Sequence, residues 1–546
     1  MILSRMNAAA SQSLAVPKLR SYGSTERIPL DNSNNSITVT AALSIPSSAR
    51  AIIPSTRSNV SVIPSLHTDP PPSFQSSLRS RLALCIAQTF ATIISSTFLI
   101  CVTFWATAVH FYRRIPAWLR PVEPRRFEWD NPQLAKTEKV VKQVYAYAQA
   151  VNFEIIDEQV ETADGYFLRV HRIVNPRHKP SQHGKGGFPV LILHGLFQSS
   201  GSFITSEERS LAFWLSEQGG YQVFLGNTRA VFNMGHRTLS RSDPRFWNWT
   251  IKDLAAYDFP ALVDYVRDAT GYNKIAFIGH SQGNGLAFIS LSEGMHPELG
   301  EKLSCFIALA PAVYAGHLTE STLFRVLKSL EWNTWRKIFG VLDFIPIMQI
   351  SYNYVPAKIF ASMGYVMFAY LFNWTDANWL PRRKTKMFRF LPTPVSSASI
   401  FWWCGKGGFA ERGCTMDDTR PTWWTIWTEA GLVSSLPPLS LWSGGKDYLV
   451  DVKKLIKRLR EKENSVTIMR IEEIEHSEHC DFYWAAESVE WCFFKILGKY
   501  KTLDFFVAVS LKFIFPEDIE YTRGNSKKDI TSLPSIPDLA PLMDLN

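Results

Sequence analysis

The pattern of hydrophobic and polar positions divides the chain into a polar start, one long apolar run and an extended region of alternating character. Residues 1–78 are rich in Ser, Pro, Asn and Thr and show no sustained apolar period. Such a segment cannot bury enough apolar surface to offset the entropy lost on ordering. We therefore predict a disordered tail over 1–78 and a loose carboxy-terminal tail over 521–546, where charge and proline return.

The apolar run covers residues 82–112, which contain no Asp, Glu, Lys or Arg. About 20 apolar residues are enough for a helix to cross a bilayer. A buried core helix is the alternative, but a core helix of this length seldom stays uncharged on every face. We predict a transmembrane helix over 82–112 and a basic linker over 113–137, placing the protein at an endomembrane, the plasma membrane or a lipid droplet.

Charges beside this run bear on its orientation. Arg79 and Arg81 precede it, and five basic residues follow within about 15 positions: Arg113, Arg114, Arg120, Arg125 and Arg126. Cytosolic flanks tend to be the more basic, so this asymmetry predicts that the region after the helix lies in the cytosol. The glycosylation sequons at Asn248 and Asn373 favour the opposite side, since they are used only in the lumen.

Beyond Glu138, short apolar runs alternate with helical patterns, which is typical of a mainly parallel sheet covered by helices. We predict six strands: Phe188–Leu193, Gln222–Leu225, Lys274–Ile278, Leu303–Leu309, Leu439–Trp442 and Ser465–Ile471. More than 100 residues separate the fourth strand from the fifth. An α/β crossover needs far fewer, so we predict an α/β core over 138–315 and 433–520, interrupted by a mainly helical cap over 316–432.

Composition narrows the function classes. With 46% hydrophobic and 20% charged residues, the chain can bury a large core. Its net charge of +9 reflects 58 basic against 49 acidic residues, a mild excess that does not predict nucleic-acid binding. The seven cysteines form no CxxC pair, which disfavours a zinc ribbon or a dense disulfide scaffold.

The segment Gly279-His280-Ser281-Gln282-Gly283 carries the first candidate chemistry. It follows the predicted strand Lys274–Ile278 and precedes a helix predicted over Asn284–Glu293. Two glycines allow a strand to turn sharply into a helix, which lifts the central serine hydroxyl clear of the backbone. In this context, Ser281 is the predicted nucleophile.

A serine hydroxyl needs a general base, and the base needs a carboxylate that orients it. In this kind of fold the chain order is nucleophile, acid, histidine. Asp447 follows the fifth predicted strand, and His479 lies in the loop after the sixth. We predict Asp447 and His479 as the partners of Ser281, with Asp451 and His476 as the rival candidates.

Acyl transfer also needs N–H donors directed at the developing oxyanion. One is usually the amide after the nucleophile, here that of Gln282. The other usually follows an earlier strand, and Leu193-His194-Gly195-Leu196 ends the first predicted strand, so we predict the Leu196 amide. His194 is interpreted as a packing residue.

The predicted cap holds nine of the 18 tryptophans: Trp332, Trp335, Trp374, Trp379, Trp402, Trp403, Trp423, Trp424 and Trp427. Most are expected to pack the cap onto the core, while several line an apolar substrate site. The candidates for substrate contact are Trp402, Trp403, Trp423 and Trp424. A lid helix is also predicted over Phe339–Ile347.

Together these residues resemble the acid lipase family, which includes gastric and lysosomal acid lipases and membrane-anchored fungal steryl ester hydrolases. The resemblance covers residues 138–500 in order. It is carried by Asp164-Gly165-Tyr166, Arg169–Ile173, Leu193–Leu196, Gly226–Arg229, Asp253–Pro260, Gly279–Gly283, Ala310-Pro311, Gly444–Asp447 and His479–Phe482. It implies an α/β-hydrolase with an inserted cap, a Ser281, Asp447 and His479 triad, and a Leu196 and Gln282 oxyanion hole. The apolar segment makes the membrane-anchored fungal branch the best match.

Two residues depart from the family pattern. Ala230 stands where the family usually has Gly after the Asn-x-Arg motif, so this turn is expected to differ. Glu478 precedes His479 where the family more often has Asn or a small residue, which is expected to alter the local field of the histidine.

The sequence thus predicts a membrane-anchored serine lipase that hydrolyses steryl esters or triacylglycerols through an acyl-enzyme, without a metal or other cofactor. Its expected partners are a neutral lipid and a bilayer or lipid-droplet surface, and not nucleic acid. The alternatives are an acyltransferase with the same triad and a catalytically silent membrane scaffold. An intact triad argues against the scaffold.

Overall fold

The computed structural model describes residues 78–119, 125–131, 133, 140–177, 186–428 and 431–497. Both predicted tails lie outside these residues, except for Leu78, which begins the first helix.

An eight-stranded sheet forms the centre of the fold, and its strand order is β1-β2-β4-β3-β5-β6-β9-β10. β1, β2 and β4 pair antiparallel, and all pairs from β4 to β10 are parallel. The strands are β1 (Glu154–Glu161), β2 (Phe167–Val174), β3 (Pro189–Leu193), β4 (Gln222–Gly226), β5 (Ile275–His280), β6 (Leu303–Leu309), β9 (Leu439–Gly444) and β10 (Ile468–Ile474). The α/β prediction is confirmed.

The predicted strands in the middle of the sheet agree with the structure to within two residues at each end, because their residues are buried on both faces and read as continuous apolar runs. β10 begins three residues later than predicted and includes Glu472 and Glu473. β1 and β2 were not among the predicted strands. β1 lies at the sheet edge, where charged residues such as Glu154 and Asp157 interrupt the apolar pattern.

Helices pack on the sheet and complete the core. α2 contacts β1, α3 contacts β4, α4 contacts β3, α5 contacts β5, and α11 contacts β9. They are α2 (Val144–Gln149), α3 (Leu211–Gly219), α4 (Phe259–Thr270), α5 (Gln282–Ser290) and α11 (Val452–Lys462). The turns Ile251–Asp253 and Leu254–Asp258 lead into α4, and the short helices Asp481–Trp484 and Phe494–Ile496 follow β10.

The chain between β6 and β9 forms the cap. It contains α6 (Thr322–Lys328), α7 (Trp332–Phe339), α8 (Ile347–Tyr354), α9 (Ala357–Phe372), α10 (Ser397–Cys404) and an antiparallel hairpin of β7 (Thr425–Thr428) and β8 (Gly431–Ser434). Short helices lie at Lys384–Met387 and Phe409–Arg412. The lid helix predicted over Phe339–Ile347 is wrong. α7 ends before Gly340, whose φ is +75°, and Pro346 precedes the first residue of α8.

The first helix, α1, runs from Leu78 to Leu119 and so extends beyond both ends of the predicted 82–112. Arg113 and Arg114, assigned from the sequence to the basic linker, are helical. The stretch Arg81–Ile115 is long and apolar enough to cross a membrane, judged by length and composition. α1 contacts α7 and α9, both of which belong to the cap.

Candidate active site

Ser281 lies at the junction of β5 and α5, in a strained backbone conformation with φ +51° and ψ −114°. A conformation of this kind costs about 1–3 kcal/mol in a residue other than glycine. The turn is tight because a Cβ at Gly283 would lie only 2.7 Å from the carbonyl oxygen of Leu193. Ser281 therefore stands on the sharp strand-to-helix turn that the glycines predicted, and it lines a cavity.

The ends of β9 and β10 bring a carboxylate and an imidazole together. His479 Nδ1 donates a hydrogen bond to Asp447 Oδ2 at 2.7 Å, and both side chains are buried. Burial of this pair strengthens it, since water does not compete for the carboxylate. The two rival candidates do not take part in this pair. Asp451 accepts a hydrogen bond from the Lys454 amide at the start of α11, and His476 is exposed.

The two predicted oxyanion residues, Leu196 and Gln282, line the same cavity as Ser281 and His479. Gln282 is the first residue of α5, so its backbone N–H has no acceptor one turn earlier within the helix. The cavity encloses about 740 Å³, including its open mouth. Its apolar wall contains Leu318, Phe324, Phe372, Trp374, Trp403 and Phe409. The cavity thus joins a polar reactive end to an apolar chamber.

A buried hydrogen-bond chain connects the oxyanion loop to the catalytic histidine candidate. The Gly195 amide donates to Gln198 Oε1 at 3.2 Å, and Gln198 Nε2 donates to the Tyr483 hydroxyl at 2.9 Å. The Tyr483 hydroxyl donates to His280 Nδ1 at 3.1 Å. His280 Nε2 donates to the backbone carbonyl of His479 at 2.9 Å. We assign these directions because a backbone carbonyl only accepts.

Burial supports this assignment of the chain. It lowers the pKa of His280 well below its ordinary value and raises that of Tyr483 well above its own, so both groups are neutral near pH 7. Sequence reasoning missed Gln198 and Tyr483. Both stand close to recognised motifs, but their pairing across 285 positions is a tertiary contact that a single sequence does not encode locally.

His194 stands apart from this chemistry. Its Nδ1 donates to the Gly195 carbonyl at 2.8 Å, and its Nε2 accepts from the Thr228 amide at 3.4 Å. Complete burial lowers its pKa to about 4. The structure therefore gives His194 the environment of a neutral packing residue, in line with the sequence interpretation.

The four candidate tryptophans separate into two groups. Trp403 lines the cavity, and its Nε1 donates to Gln282 Oε1 at 2.8 Å. Trp402, Trp423 and Trp424 are fully buried and do not line this cavity, which corrects the expectation that they contact substrate there. Trp424, for example, donates to the Phe288 carbonyl at 2.9 Å and packs the end of the cap onto the core.

Trp374 is the cavity tryptophan that the sequence did not single out. Its ring stacks beside that of His479, with ring centres 6.3 Å apart and planes 18° apart. The next residue, Thr375, donates to Glu478 through both its amide and its hydroxyl, at 2.7 and 2.6 Å. The cap therefore contacts the histidine loop at His479 and at the residue before it.

The two departures from the family pattern have visible consequences. Ala230 adopts the left-handed conformation with φ +67°, which favours glycine. Glu478 is buried, and burial raises its pKa to about 7, with Asp481 raising it further and the Thr375 hydrogen bonds and Lys446 opposing this. Ala230 therefore occupies a strained turn, and Glu478 lies in the contact between the histidine loop and the cap.

Other family motifs form a support behind the site. The Arg229 guanidinium pairs with Asp258 at 2.6 Å and with Asp164 at 2.8 Å, and all but Asp164 are almost fully buried. Arg229 also lies 3.9 Å from the centre of the Tyr166 ring. These motif residues tie the loops after β1 and β4 to the helical turn before α4, and take no place in the cavity wall.

Known families and proteins share much of this sequence. The partial alpha/beta-hydrolase lipase region matches residues 144–207, and the alpha/beta hydrolase fold matches residues 189–343. Sterol esterase 2 of Saccharomyces cerevisiae is 30% identical over 393 residues, which is 66% of this chain and 72% of that protein. The chain belongs to the acid lipase family.

Further relatives agree with this membership. A probable lipase of Schizosaccharomyces pombe is 30% identical over 361 residues, covering 64% of this chain and 77% of its own. The human lysosomal acid lipase/cholesteryl ester hydrolase is 27% identical over 346 residues, covering 60% of this chain and 83% of that protein. As a member of the acid lipase family, the chain is a carboxylic ester hydrolase with the α/β-hydrolase fold, as its motifs predicted.

Proposed function

We propose that this protein is a membrane-anchored serine lipase that hydrolyses steryl esters, triacylglycerols or both. The observation that carries the proposal is that His479, which lines the same cavity as Ser281, makes a buried hydrogen bond of 2.7 Å to Asp447. This is the arrangement that activates a serine hydroxyl near neutral pH.

In the proposed reaction, each residue has one part. Ser281 Oγ attacks the ester carbonyl while His479 Nε2 takes its proton, and Asp447 holds the imidazolium through Nδ1. The amides of Leu196 and Gln282 donate to the oxyanion of the tetrahedral intermediate. His479 then gives the proton to the leaving alcohol, and water releases the acid from the acyl-enzyme through the same steps.

The chamber supports a lipid as the substrate class. None of its lining residues, within the part of the chain that the structure describes, is Asp, Glu, Lys or Arg. Apolar walls with a few polar groups at one end suit an ester whose acyl chain and alcohol are both hydrophobic. Relatives named as a sterol esterase and as a cholesteryl ester hydrolase support the same class.

The test is hydrolysis of cholesteryl oleate, trioleoylglycerol and a short-chain ester by wild-type protein and Ser281→Ala. We expect the wild type to cleave a long-chain substrate and the variant to lose at least about 10⁴-fold in rate. Ser290→Ala is the matched control, because the Ser290 hydroxyl is buried on α5 without a hydrogen-bond partner. Labelling of Ser281→Ala by a fluorophosphonate, with activity retained, contradicts the assignment. Faster transfer to an added sterol than to water indicates an acyltransferase.

We propose further that α1 anchors the chain in the membrane with the catalytic domain in the cytosol, as the basic residues after the apolar run favour. Asn248 and Asn373 are then unmodified. A glycosidase-sensitive mass shift that disappears in the Asn248→Gln, Asn373→Gln double variant places the domain in the lumen and overturns this orientation.

A further inference from the structure

The anchor helix α1 lies along the cap over nearly its whole apolar length. Towards its start, Gln88 Oε1 is 3.5 Å from the Val341 amide, and towards its end the Arg114 guanidinium is 3.3 Å from Asp376. These α1 residues are 26 positions apart, which is about 39 Å at 1.5 Å per residue. The hydrocarbon core of a bilayer is only about 30 Å thick. With α1 packed in this way and crossing a bilayer, part of the cap must also lie in the lipid.

The two faces of α1 differ in a way that fits this arrangement. Ala91, Ser95 and Ala106 are buried in the molecule, and small side chains such as these let helices approach closely. The opposite face is a stripe of large exposed apolar residues without a charge: Phe90, Ile93, Ile100, Phe104 and Phe111. Water is a poor environment for this stripe.

The cap adds a second exposed apolar patch, which we call the α8–α9 patch. It consists of Ile350 and Tyr354 on α8 and Ile359 and Met363 on α9, with each pair one helical turn apart. These side chains are 47–84% exposed, although they are large and apolar. α9 contacts both α1 and α8, so the α8–α9 patch and the apolar stripe lie on neighbouring helices.

Basic residues are exposed on two of the cap helices that contact α1. Lys358 is exposed beside Ile359, and Arg336 and Lys337 are exposed on α7, the other cap helix that contacts α1. An exposed apolar patch with a lysine next to it, on a helix that packs against a segment apolar enough to cross a membrane, suits acyl chains and phosphate headgroups. This chemistry favours a phospholipid surface as the occupant over a second copy of the chain.

α9 also connects the patch to the reaction cavity. Phe372, at the end of α9, lines the cavity, and it lies nine residues after Met363, which is about 14 Å along the helix. We propose that α1 and the α8–α9 patch form one phospholipid-contacting surface, so that the cap enters the bilayer with α1 and neutral lipid reaches the cavity from the membrane. The proposal rests on the proposed function for its substrate.

Photolabelling tests the contact itself. Full-length protein is reconstituted in phosphatidylcholine vesicles that contain a diazirine-bearing phosphatidylcholine, irradiated and mapped by peptide mass spectrometry. We expect labelled peptides from α8 and α9 as well as from α1. Labelling confined to α1 overturns the proposal, as does a concentration-dependent dimer whose protein cross-links join the α8–α9 patches of two copies. This readout needs no catalysis, so it is independent of the proposed function.

A matched pair of variants tests the route. Ile359→Glu/Met363→Glu places charge in the patch, and Ile156→Glu places charge at an exposed apolar site on β1, the strand at one edge of the sheet. We expect the double variant to lose at least tenfold in hydrolysis of trioleoylglycerol in vesicles, with a water-soluble short-chain ester cleaved at the wild-type rate. Ile156→Glu should change neither rate. Equal loss on both esters, or none on vesicles, overturns the route.

Discussion

The two walls of the cavity are built on different principles. The core wall carries Ser281 and His479, and His479 is hydrogen-bonded to Asp447; each of the three lies within a few residues of the end of a parallel strand. The cap wall is made of aromatic side chains on helices and loops, such as Phe372, Trp374 and Trp403. Strand topology fixes the reacting groups, because the carboxyl ends of parallel strands meet at one edge. Side-chain packing fixes the chamber that surrounds them.

This difference shows which wall tolerates change. Core residues make short hydrogen bonds or lie in a strained turn, so the loss of a single polar atom removes an interaction there. Cap residues contact one another over large areas, and α1 packs on the same helices. We therefore expect substitutions in the core wall to stop the reaction, and substitutions in the cap wall to change which ester reaches it.

The largest expected effect is at Asp447, the acid of the proposed triad. Asp447→Asn should lower kcat by about 10⁴-fold, because an amide neither holds the neutral His479 imidazole in the required tautomer nor stabilises the imidazolium that forms. Asp451→Asn should keep most of its activity, since asparagine also caps the start of α11. The parallel comparison is His479→Ala against His476→Ala. Rates with a soluble ester decide both pairs, and the reverse ranking in either pair reassigns that role.

A smaller effect is expected from residues of each wall that hydrogen-bond to the proposed oxyanion-hole region, namely Gln198 in the core and Trp403 in the cap. Gln198→Met breaks the chain from Gly195 to His280 and leaves buried groups unpaired, so we expect kcat to fall about 10–100-fold with KM little changed. Trp403→Phe removes one cap hydrogen bond to Gln282 and should cost less than about tenfold. Rates of hydrolysis of a soluble ester by the two variants measure these losses, and thermal melting curves check that both variants are folded. A larger loss in Trp403→Phe contradicts the view that the core positions the chemistry.

The contact between the walls should show a pH dependence. Burial raises the folded-state pKa of Glu478 to about 7, above that of an exposed Glu, so the folded protein holds this proton more tightly. Stability from Glu478 is therefore present below about pH 4.5 and lost as pH rises through 7. Relative to Glu478→Gln, the wild type should lose on the order of 1–3 kcal/mol over this range.

Urea unfolding at several pH values measures this difference. Glu475→Gln is the control, since Glu475 is an exposed carboxylate in the same loop. The two variants should separate as the pH rises from 4.5 to 8. Identical pH profiles for wild type and Glu478→Gln show that the cap contact titrates outside this window.

The sequence predicted the strands of the core better than the arrangement of the cap, for a physical reason. Buried parallel strands and the glycines around Ser281 leave local patterns, so Ser281, Asp447 and His479 could be placed in order along the chain. Trp374 and Gln198 act through partners far away in the sequence, and one tryptophan among nine carries no local mark of what it faces. The break between α7 and α8 was missed, although Gly340 and Pro346 indicate it.

The smallest expected effect tests the departure at Ala230. Its left-handed φ of +67° costs an alanine about 1 kcal/mol, which glycine avoids. Part of this stabilisation is lost, because glycine makes the unfolded chain more flexible and removes one buried methyl group. Ala230→Gly should therefore stabilise the core by less than about 1 kcal/mol. Ala287→Gly, at a buried helical position in α5, should destabilise it by about 1 kcal/mol. Opposite shifts in the urea midpoint measure the strain, whereas equal destabilisation of both variants shows that the turn gains nothing from glycine.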